Sequence, residues 1–153
     1  MGAIPFQLAM GAAQYKAQGK IGKFNQSVAN RNALILEGQA DQLEAKAEFD
    51  IAQFQKDFRK MEGETKVALA KSGVVMDSGS AYNIQLSNAY EAQLQKELIK
   101  YNSQVAVANK MEEANFARIR GTMARNESKL AQISTVAQTG SNIYSMMGGG
   151  KKA

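Results

Sequence analysis

The sequence predicts an all-α protein that forms one long antiparallel helical hairpin with short terminal segments. Of the 153 residues, 24 are Ala and 14 are Gln, which favour helix, whereas β-branched residues are few. The only proline is Pro5, so no proline interrupts the chain after it. Apolar residues recur at steps of three and four, and the alternation typical of a strand does not persist.

The first helix is predicted over about residues 21–72, after an apolar and basic N-terminal segment at residues 1–20. Its clearest stretch is Ile51, Phe54, Phe58 and Met61, whose 3-4-3 spacing is typical of a coiled coil. Two glycines lie within this helix and weaken it. We expect Gly38 and Gly63 to mark either a close approach of another helix or a bend.

A joint is predicted at residues 73–80. Gly73 suits the left-handed conformation that often follows a helix end. Asp77, Ser78 and Ser80 are suitable N-caps for the next helix. The joint residues are therefore Gly73, Asp77, Ser78, Gly79 and Ser80. The apolar residues 74–76 are expected to close the end of the hairpin core, with a binding tip as the alternative.

The second helix is predicted over about residues 81–147, with a bend or break possible at Gly121, and a Gly/Lys tail follows at 148–153. Its apolar side is expected to complete an assembly seam. The seam residues on the two helices are Ile51, Phe54, Phe58, Met61, Leu94, Leu98, Tyr101 and Val105. Only 31 residues are Leu, Ile, Val or Phe, about a fifth of the chain. One hairpin is therefore expected to be marginally stable and to assemble into an oligomeric bundle or ring, or to pack on a larger partner.

The composition argues against an enzyme. The chain has no Cys and no His, so it lacks the usual zinc ligands, a thiol nucleophile and the commonest general base. The carboxylate pairs Glu44/Glu48 and Glu112/Glu113 fit solvated ion pairs on helix surfaces. We expect no catalytic residue, no metal site and no cofactor.

Charge is distributed unevenly along the chain. Residues 1–36 carry +4, residues 37–113 carry −4 and residues 114–153 carry +5. A hairpin brings the two cationic ends together. Two interpretations stay open: an ordinary solvated surface, or contact with phosphate in nucleic acid or lipid headgroups.

The two ends of the chain are candidates for membrane contact. Residues 1–13 lack the positively charged start of a signal peptide and are shorter than the roughly 20 apolar residues of a span. Residues 131–147 carry no charge and have one apolar and one polar side. Ordinary helix packing is the alternative to an interfacial helix or a pore wall with its polar face inward. The candidate membrane residues are Ile4, Phe6, Leu8, Met10, Ile133, Val136, Ile143, Tyr144, Met146 and Met147.

Several short segments resemble the small internal virion proteins of T-seven-like short-tailed phages. They are residues 68–74 (ALAKSGV), 77–81 (DSGSA), 101–106 (YNSQVA) and the start at 3–5 (AIP). Ala108, Asn109 and Ala114 extend the third segment. The resemblance covers roughly residues 1–145, and this chain is shorter at its C-terminus than some relatives.

The resemblance implies a non-enzymatic ejection protein. Such proteins lie inside the capsid near the portal, leave ahead of the DNA and become part of an outer-membrane and periplasmic conduit for the genome. The implied partners are further copies of the chain, other internal virion proteins, portal or tail proteins, the host outer membrane, and passing double-stranded DNA contacted without sequence specificity. The competing class is a structural coiled-coil subunit without a membrane role, either a portal-bound core scaffold or a secretion-needle or filament subunit.

Overall fold

The computed structural model describes residues 3–74 and 79–148. These ranges form two helices, α1 (Ala3–Lys71) and α2 (Gly79–Gly148). The helices pack against each other as an antiparallel hairpin, and the described residues contain no strand. The predicted all-α hairpin is thus confirmed, while its assembly into a bundle or ring stays a prediction.

The first helix is longer than predicted. α1 already begins at Ala3, so the described part of the predicted segment 1–20 is helical and does not form a separate segment. Pro5 does not prevent this, because it lies in the first turn, where backbone N–H groups have no intrahelical partner. α2 runs through Gly121 without a break and ends at Gly148, so the predicted tail beyond this residue lies outside the described residues.

α1 ends in a Schellman motif. The N–H of Val74 donates to the carbonyl of Leu69 (3.2 Å), and the N–H of Gly73 donates to that of Ala70 (3.2 Å). Gly73 has a φ of 74°, which confirms the predicted left-handed position, and Gly79 has a φ of 59°. Ser80 lies inside α2 and is not a cap, which corrects that prediction. The cap candidates Asp77 and Ser78, and the apolar residues 75–76, lie outside the described residues.

The chain divides into two compact units. Unit 1 comprises residues 1–36 and 113–153, and unit 2 comprises residues 37–112. Each contains a stretch of both helices. By sequence, unit 1 holds ten basic and two acidic residues, a net charge of +8, whereas unit 2 holds nine basic and twelve acidic residues, a net charge of −3.

The core of unit 1 consists of small side chains. Ala33, Ala114 and Ala117 are buried, and Leu36 packs against them. Among the described residues of the whole chain, no large side chain is fully buried. Burial stabilises by about 25 cal/mol per Å² of apolar surface, so alanine contacts contribute little each.

Unit 2 has larger side chains between its helices. Ala40 and Ala81 are buried, and Ile51, Phe54 and Phe58 are half-buried. The rings of Phe54 and Phe58 stack with their centroids 6.4 Å apart. Of the predicted coiled-coil stretch in α1, these three residues therefore face α2.

Candidate assembly and membrane surfaces

The helices of unit 1 approach each other closely at glycines. A Cβ atom at Gly121 would lie 2.7 Å from the Cβ of Ala29, and one at Gly11 would lie 2.6 Å from the hydroxyl oxygen of Thr139. Gly22 faces the side chain of Ser128 in the same way. Such contacts require residues without side chains, because real Cβ atoms do not approach other atoms so closely.

Gly38 and Gly63 do not mark a close approach to the other helix of the hairpin, so this one of their two predicted roles is wrong. A Cβ atom at Gly38 or Gly63 would meet nothing within 4 Å. The sequence does not predict Gly11 and Gly22 as contact positions, and it predicts Gly121 only as a bend or break. A signal was present, since Gly11, Gly22 and Ala33 recur every 11 residues, which is three helical turns.

The interface in unit 1 is also polar. The Ser128 hydroxyl donates to the backbone carbonyl of Gln18. The Gln132 side-chain amide donates to the carbonyl of Tyr15 (2.8 Å). Thr135, which is only 8% exposed, lies 3.1 Å from the side-chain oxygen of Gln18. Hydrogen bonds between side chains of α2 and groups of α1 thus hold together a seam that has few large apolar residues.

These hydrogen bonds fit ordinary packing, one of the two interpretations of the uncharged segment 131–147. Its polar residues Gln132, Thr135 and Thr139 face α1 and are not available to line a lumen. Other polar residues of the segment, such as Ser134 and Gln138, are exposed, as are large apolar ones. Ile133 is 65% exposed and Tyr144 is 81% exposed.

An exposed apolar stripe runs along the unit 1 part of α1. Its residues follow helical steps of three, four or seven, so they share one side of the helix. At about 100° per residue, this side lies roughly 120° from the side that faces α2. We call it the α1 edge, and its residues are Phe6, Met10, Ala17, Ile21, Phe24, Val28 and Ile35.

A second exposed stripe runs along the unit 1 part of α2. Its nine positions alternate in steps of three and four without interruption, which is the heptad spacing of a coiled coil. At about 100° per residue they lie roughly 170° from the side that faces α1. We call it the α2 edge, and its residues are Phe116, Ile119, Met123, Asn126, Leu130, Ile133, Ala137, Gly140 and Tyr144.

An apolar groove lies near the chain ends in unit 1. It has a volume of about 430 Å³, and both helices line it. Its apolar members include Leu8 and Tyr15 from α1 and Val136 and Ile143 from α2. The structure thus brings the predicted membrane residues Leu8, Val136 and Ile143 together.

The other predicted membrane residues do not all lie in this groove. Phe6 and Met10 belong to the α1 edge, while Ile133 and Tyr144 belong to the α2 edge. Met146 is 47% exposed. The side chains of Ile4 and Met147 lie outside the described residues.

Basic residues continue from the groove along α1. Ala12 lines the groove, and Lys16, Lys20 and Lys23 follow it at steps of four, four and three. Residues so spaced are neighbours on one helix surface. The three lysines are exposed. The groove is therefore extended on this side of unit 1 by a positively charged surface.

In unit 2 the predicted assembly seam is divided between two surfaces. Phe54 and Phe58 line a groove with Ala89 and Ala92 of α2. Met61 is 45% exposed. The α2 members of the seam do not face α1; instead they form an outward stripe with exposures of 42–63%, consisting of Leu94, Leu98, Tyr101 and Val105.

Within residues 3–74 and 79–148, no cluster of acidic side chains could hold a metal ion. Over the same ranges, neither helix contains a stretch long and apolar enough to cross a membrane.

Comparisons of the chain with protein-family models, curated proteins and solved structures found no match.

Proposed function

We propose that this chain is an internal virion protein that is ejected into the host envelope and forms part of a conduit for genome delivery. The proposal combines the resemblance of residues 68–74 and 101–106 to phage ejection proteins with one structural observation. In unit 1, small and polar side chains face the partner helix, while the large apolar side chains face outward.

Because large apolar side chains face outward in unit 1, we infer that another protein surface or a membrane covers them. Large exposed apolar patches in a soluble chain mark surfaces for other proteins or for membranes. Phe24 is 68% exposed and Leu130 is 66% exposed, and both belong to continuous stripes. An oligomer inserted in or lying on the envelope would cover such stripes.

The terminal groove is the proposed membrane contact. Its apolar lining adjoins Lys16, Lys20 and Lys23, and unit 1 as a whole carries +8. Each Lys or Arg near an anionic bilayer surface contributes about 1 kcal/mol of attraction. Apolar contact and electrostatic attraction thus act at the same end of unit 1.

The proposed location before ejection is the virion interior near the portal, and afterwards the outer membrane and periplasm. Its proposed partners are further copies of the chain, other internal virion proteins, and portal or tail proteins. Passing double-stranded DNA would be contacted through its phosphates, without base readout, because the basic residues supply charge and no recognition motif is present in the sequence.

Liposome binding with dye release tests the membrane contact. The test variant carries Leu8→Ser and Val136→Ser, which remove two groove side chains that are 51% and 59% exposed. The matched control carries Leu86→Ser and Val67→Ser, which remove similar side chains, 57% and 54% exposed, from unit 2. We expect the test variant to lose binding and release from anionic vesicles, and the control to resemble the unmodified protein.

Two outcomes would contradict this proposal. Equal behaviour of the two variants would show that the groove is not the contact, and a protein that never binds lipid would have no membrane role. The exposed stripes also fit a scaffold or a needle-type subunit, in which further copies cover them. Stable association with portal or capsid without lipid binding would favour the scaffold, and open helical filaments would favour the needle.

A further inference from the structure

The two helices of unit 1 define a level for each residue along the hairpin. Gly11 lies opposite Thr139, Gly22 opposite Ser128, and Ala29 opposite Gly121. In each of these pairs the two residue numbers add up to 150. Any two residues of α1 and α2 whose numbers add up to about 150 therefore lie at the same height.

Residues of the α1 edge and the α2 edge also lie at matching heights. Ile21 of the α1 edge is level with Leu130 of the α2 edge, and Val28 is level with Met123. The α1 edge begins at Phe6 and ends at Ile35, and the α2 edge runs from Tyr144 to Phe116 over the same levels. Seven of the nine α2-edge residues are level with an α1-edge residue, whereas Ile119 and Ala137 are level with Arg31 and Ala13, outside the α1 edge. The seven level pairs are Phe6–Tyr144, Met10–Gly140, Ala17–Ile133, Ile21–Leu130, Phe24–Asn126, Val28–Met123 and Ile35–Phe116.

At two of the seven levels the side-chain sizes of the two edges are complementary. Met10 is level with Gly140, and Ala17 is level with Ile133, so a large residue meets a small one at both positions. Such alternation lets facing layers interdigitate. Asn126, level with Phe24, is the one large polar residue in the α2 edge, and a polar residue in an apolar seam helps to fix alignment at a cost in stability.

We propose that the α2 edge of one copy packs against the α1 edge of the next copy, antiparallel and without axial displacement. Each copy then uses two different surfaces, so the contact is head-to-tail and repeats. With neighbouring copies at the same level, the repeat is a rotation without a rise, which closes into a ring when that rotation is a whole fraction of a turn.

A second copy explains these edges better than lipid alone. A bilayer covers apolar surface without requiring heptad spacing or equal levels on two helices. Both properties are expected of edges that pack on each other. The inference deepens the proposed conduit by naming its subunit contact, and it rests on that function only for the setting in which the ring is used.

Cysteine cross-linking tests the contact cleanly, because the natural chain has no Cys. The test variant carries Ile21→Cys and Leu130→Cys, and a short bismaleimide joins the thiols in the full chain in mild detergent. Both residues point away from the partner helix and are 58% and 66% exposed. We expect a ladder of dimers, trimers and larger species that ends at the ring size.

The control variant carries Lys20→Cys and Leu130→Cys. Lys20 is at the same level as Ile21 but about 100° around α1, on the basic surface. We expect this variant to lose the ladder. The single variant Leu130→Cys should yield no homodimer, whereas an antiparallel α2–α2 pair would place the two copies of this residue together, since it lies at the centre of the α2 edge.

Absence of the ladder, an equal ladder in the control, or efficient homodimers from Leu130→Cys alone would each overturn the proposed contact. Circular dichroism checks that the variants remain helical. If the first pair misfolds, Val28→Cys with Met123→Cys tests the same contact at another level. Dye release without a ladder would disprove the contact between copies and leave the proposed membrane function standing. A ladder without lipid binding would support the contact between copies and contradict the membrane function.

Discussion

Unit 1 and unit 2 use the same two helices but turn the main apolar stretch of α1 to different sides. In unit 1, Ile21, Phe24 and Val28 point outward while Gly22 and Ala33 face α2. In unit 2, Phe54 and Phe58 turn towards α2. The outer side of α1 in unit 2 carries the exposed ion pair Lys60–Glu64 (4.0 Å), beside the exposed apolar residues Phe49 and Val67.

This difference shows that apolar spacing alone does not identify the buried side of a helix. A narrow contact of glycine and alanine buries little area but brings backbones close, and hydrogen bonds from Ser128 and Gln132 supplement it. Large side chains are then left for other partners. On α1, the main apolar residues of unit 1 are thus exposed, whereas Phe54 and Phe58 of unit 2 pack between its own two helices.

The largest expected effect is loss of assembly from a charge placed in an edge. Leu130→Asp and Phe24→Asp should each leave the protein as single chains, because every contact would then contain one altered edge and burying an unpaired carboxylate costs several kcal/mol. Mixing the two variants should restore one good contact and give a 1:1 dimer. Sedimentation measures the masses, and Leu86→Asp, in unit 2, is the control that should still assemble.

Larger complexes in that mixture, or no dimer at all, would contradict the head-to-tail contact. Neither edge variant should change the stability of the single chain by more than about 0.5 kcal/mol, because both side chains are mostly exposed in it. Thermal unfolding in dilute solution checks this point.

The second prediction compares two phenylalanines. Phe54→Ala should lower the free energy of unfolding by about 2–3 kcal/mol, below the range for fully buried Phe, because the residue is half-buried and stacked on Phe58. Phe24→Ala should leave the single chain nearly unchanged and weaken assembly instead. Denaturant unfolding and sedimentation separate the two effects, and similar losses of chain stability would mean that the units do not differ as described.

The sequence predicted the fold class, the joint at Gly73 and the inward position of Phe54 and Phe58. It did not predict which side of α2 faces α1. Leu94, Leu98 and Tyr101 form the more hydrophobic side and were therefore placed in the seam, but they are exposed. The side that packs contains Ala114 and Ala117, which only a close approach of the helices makes buried.

Of the predicted membrane residues, Leu8, Val136 and Ile143 meet in one groove, and their contact with a membrane stays a prediction. For the segment 131–147 the sequence leaves both ordinary packing and a pore wall open, because the hydrogen-bond partners of its polar side on α1, such as the backbone carbonyl of Tyr15, carry no signal in the sequence. Backbone carbonyls exist at every position, so only the geometry reveals which of them are paired.

The third prediction concerns the close contact in unit 1. Gly121→Leu should destabilise the chain by about 1–3 kcal/mol, because the new side chain would overlap Ala29 and the backbone of Gln26. Gly63→Leu, where no atom lies within 4 Å, should be neutral or stabilise by up to about 1 kcal/mol through helix propensity. In thermal unfolding we expect Gly121→Leu to lower the melting temperature and Gly63→Leu to leave it unchanged or raise it. Equal changes in the two variants would argue against the close approach of the helices at Gly121.

The smallest expected effect comes from the polar part of the unit 1 seam. Thr135→Val keeps the shape of a side chain that is 8% exposed but removes its hydroxyl, which lies 3.1 Å from the side-chain oxygen of Gln18 and 2.9 Å from the carbonyl of Ala131. We expect a loss of about 1 kcal/mol in the free energy of unfolding, the usual contribution of one hydrogen bond.

Ser134→Ala is the matched control for that hydroxyl. Its hydrogen bond, to the carbonyl of Ala131 (2.9 Å), is exposed and stays within α2. Removing it costs little because water replaces the donor, and Ala favours helix by a few tenths of a kcal/mol. Denaturant unfolding of both variants should therefore show a loss only for Thr135→Val. A gain in stability there would mean that the polar seam opposes the pairing of the helices in unit 1, and that their pairing depends on the glycine and alanine contacts alone.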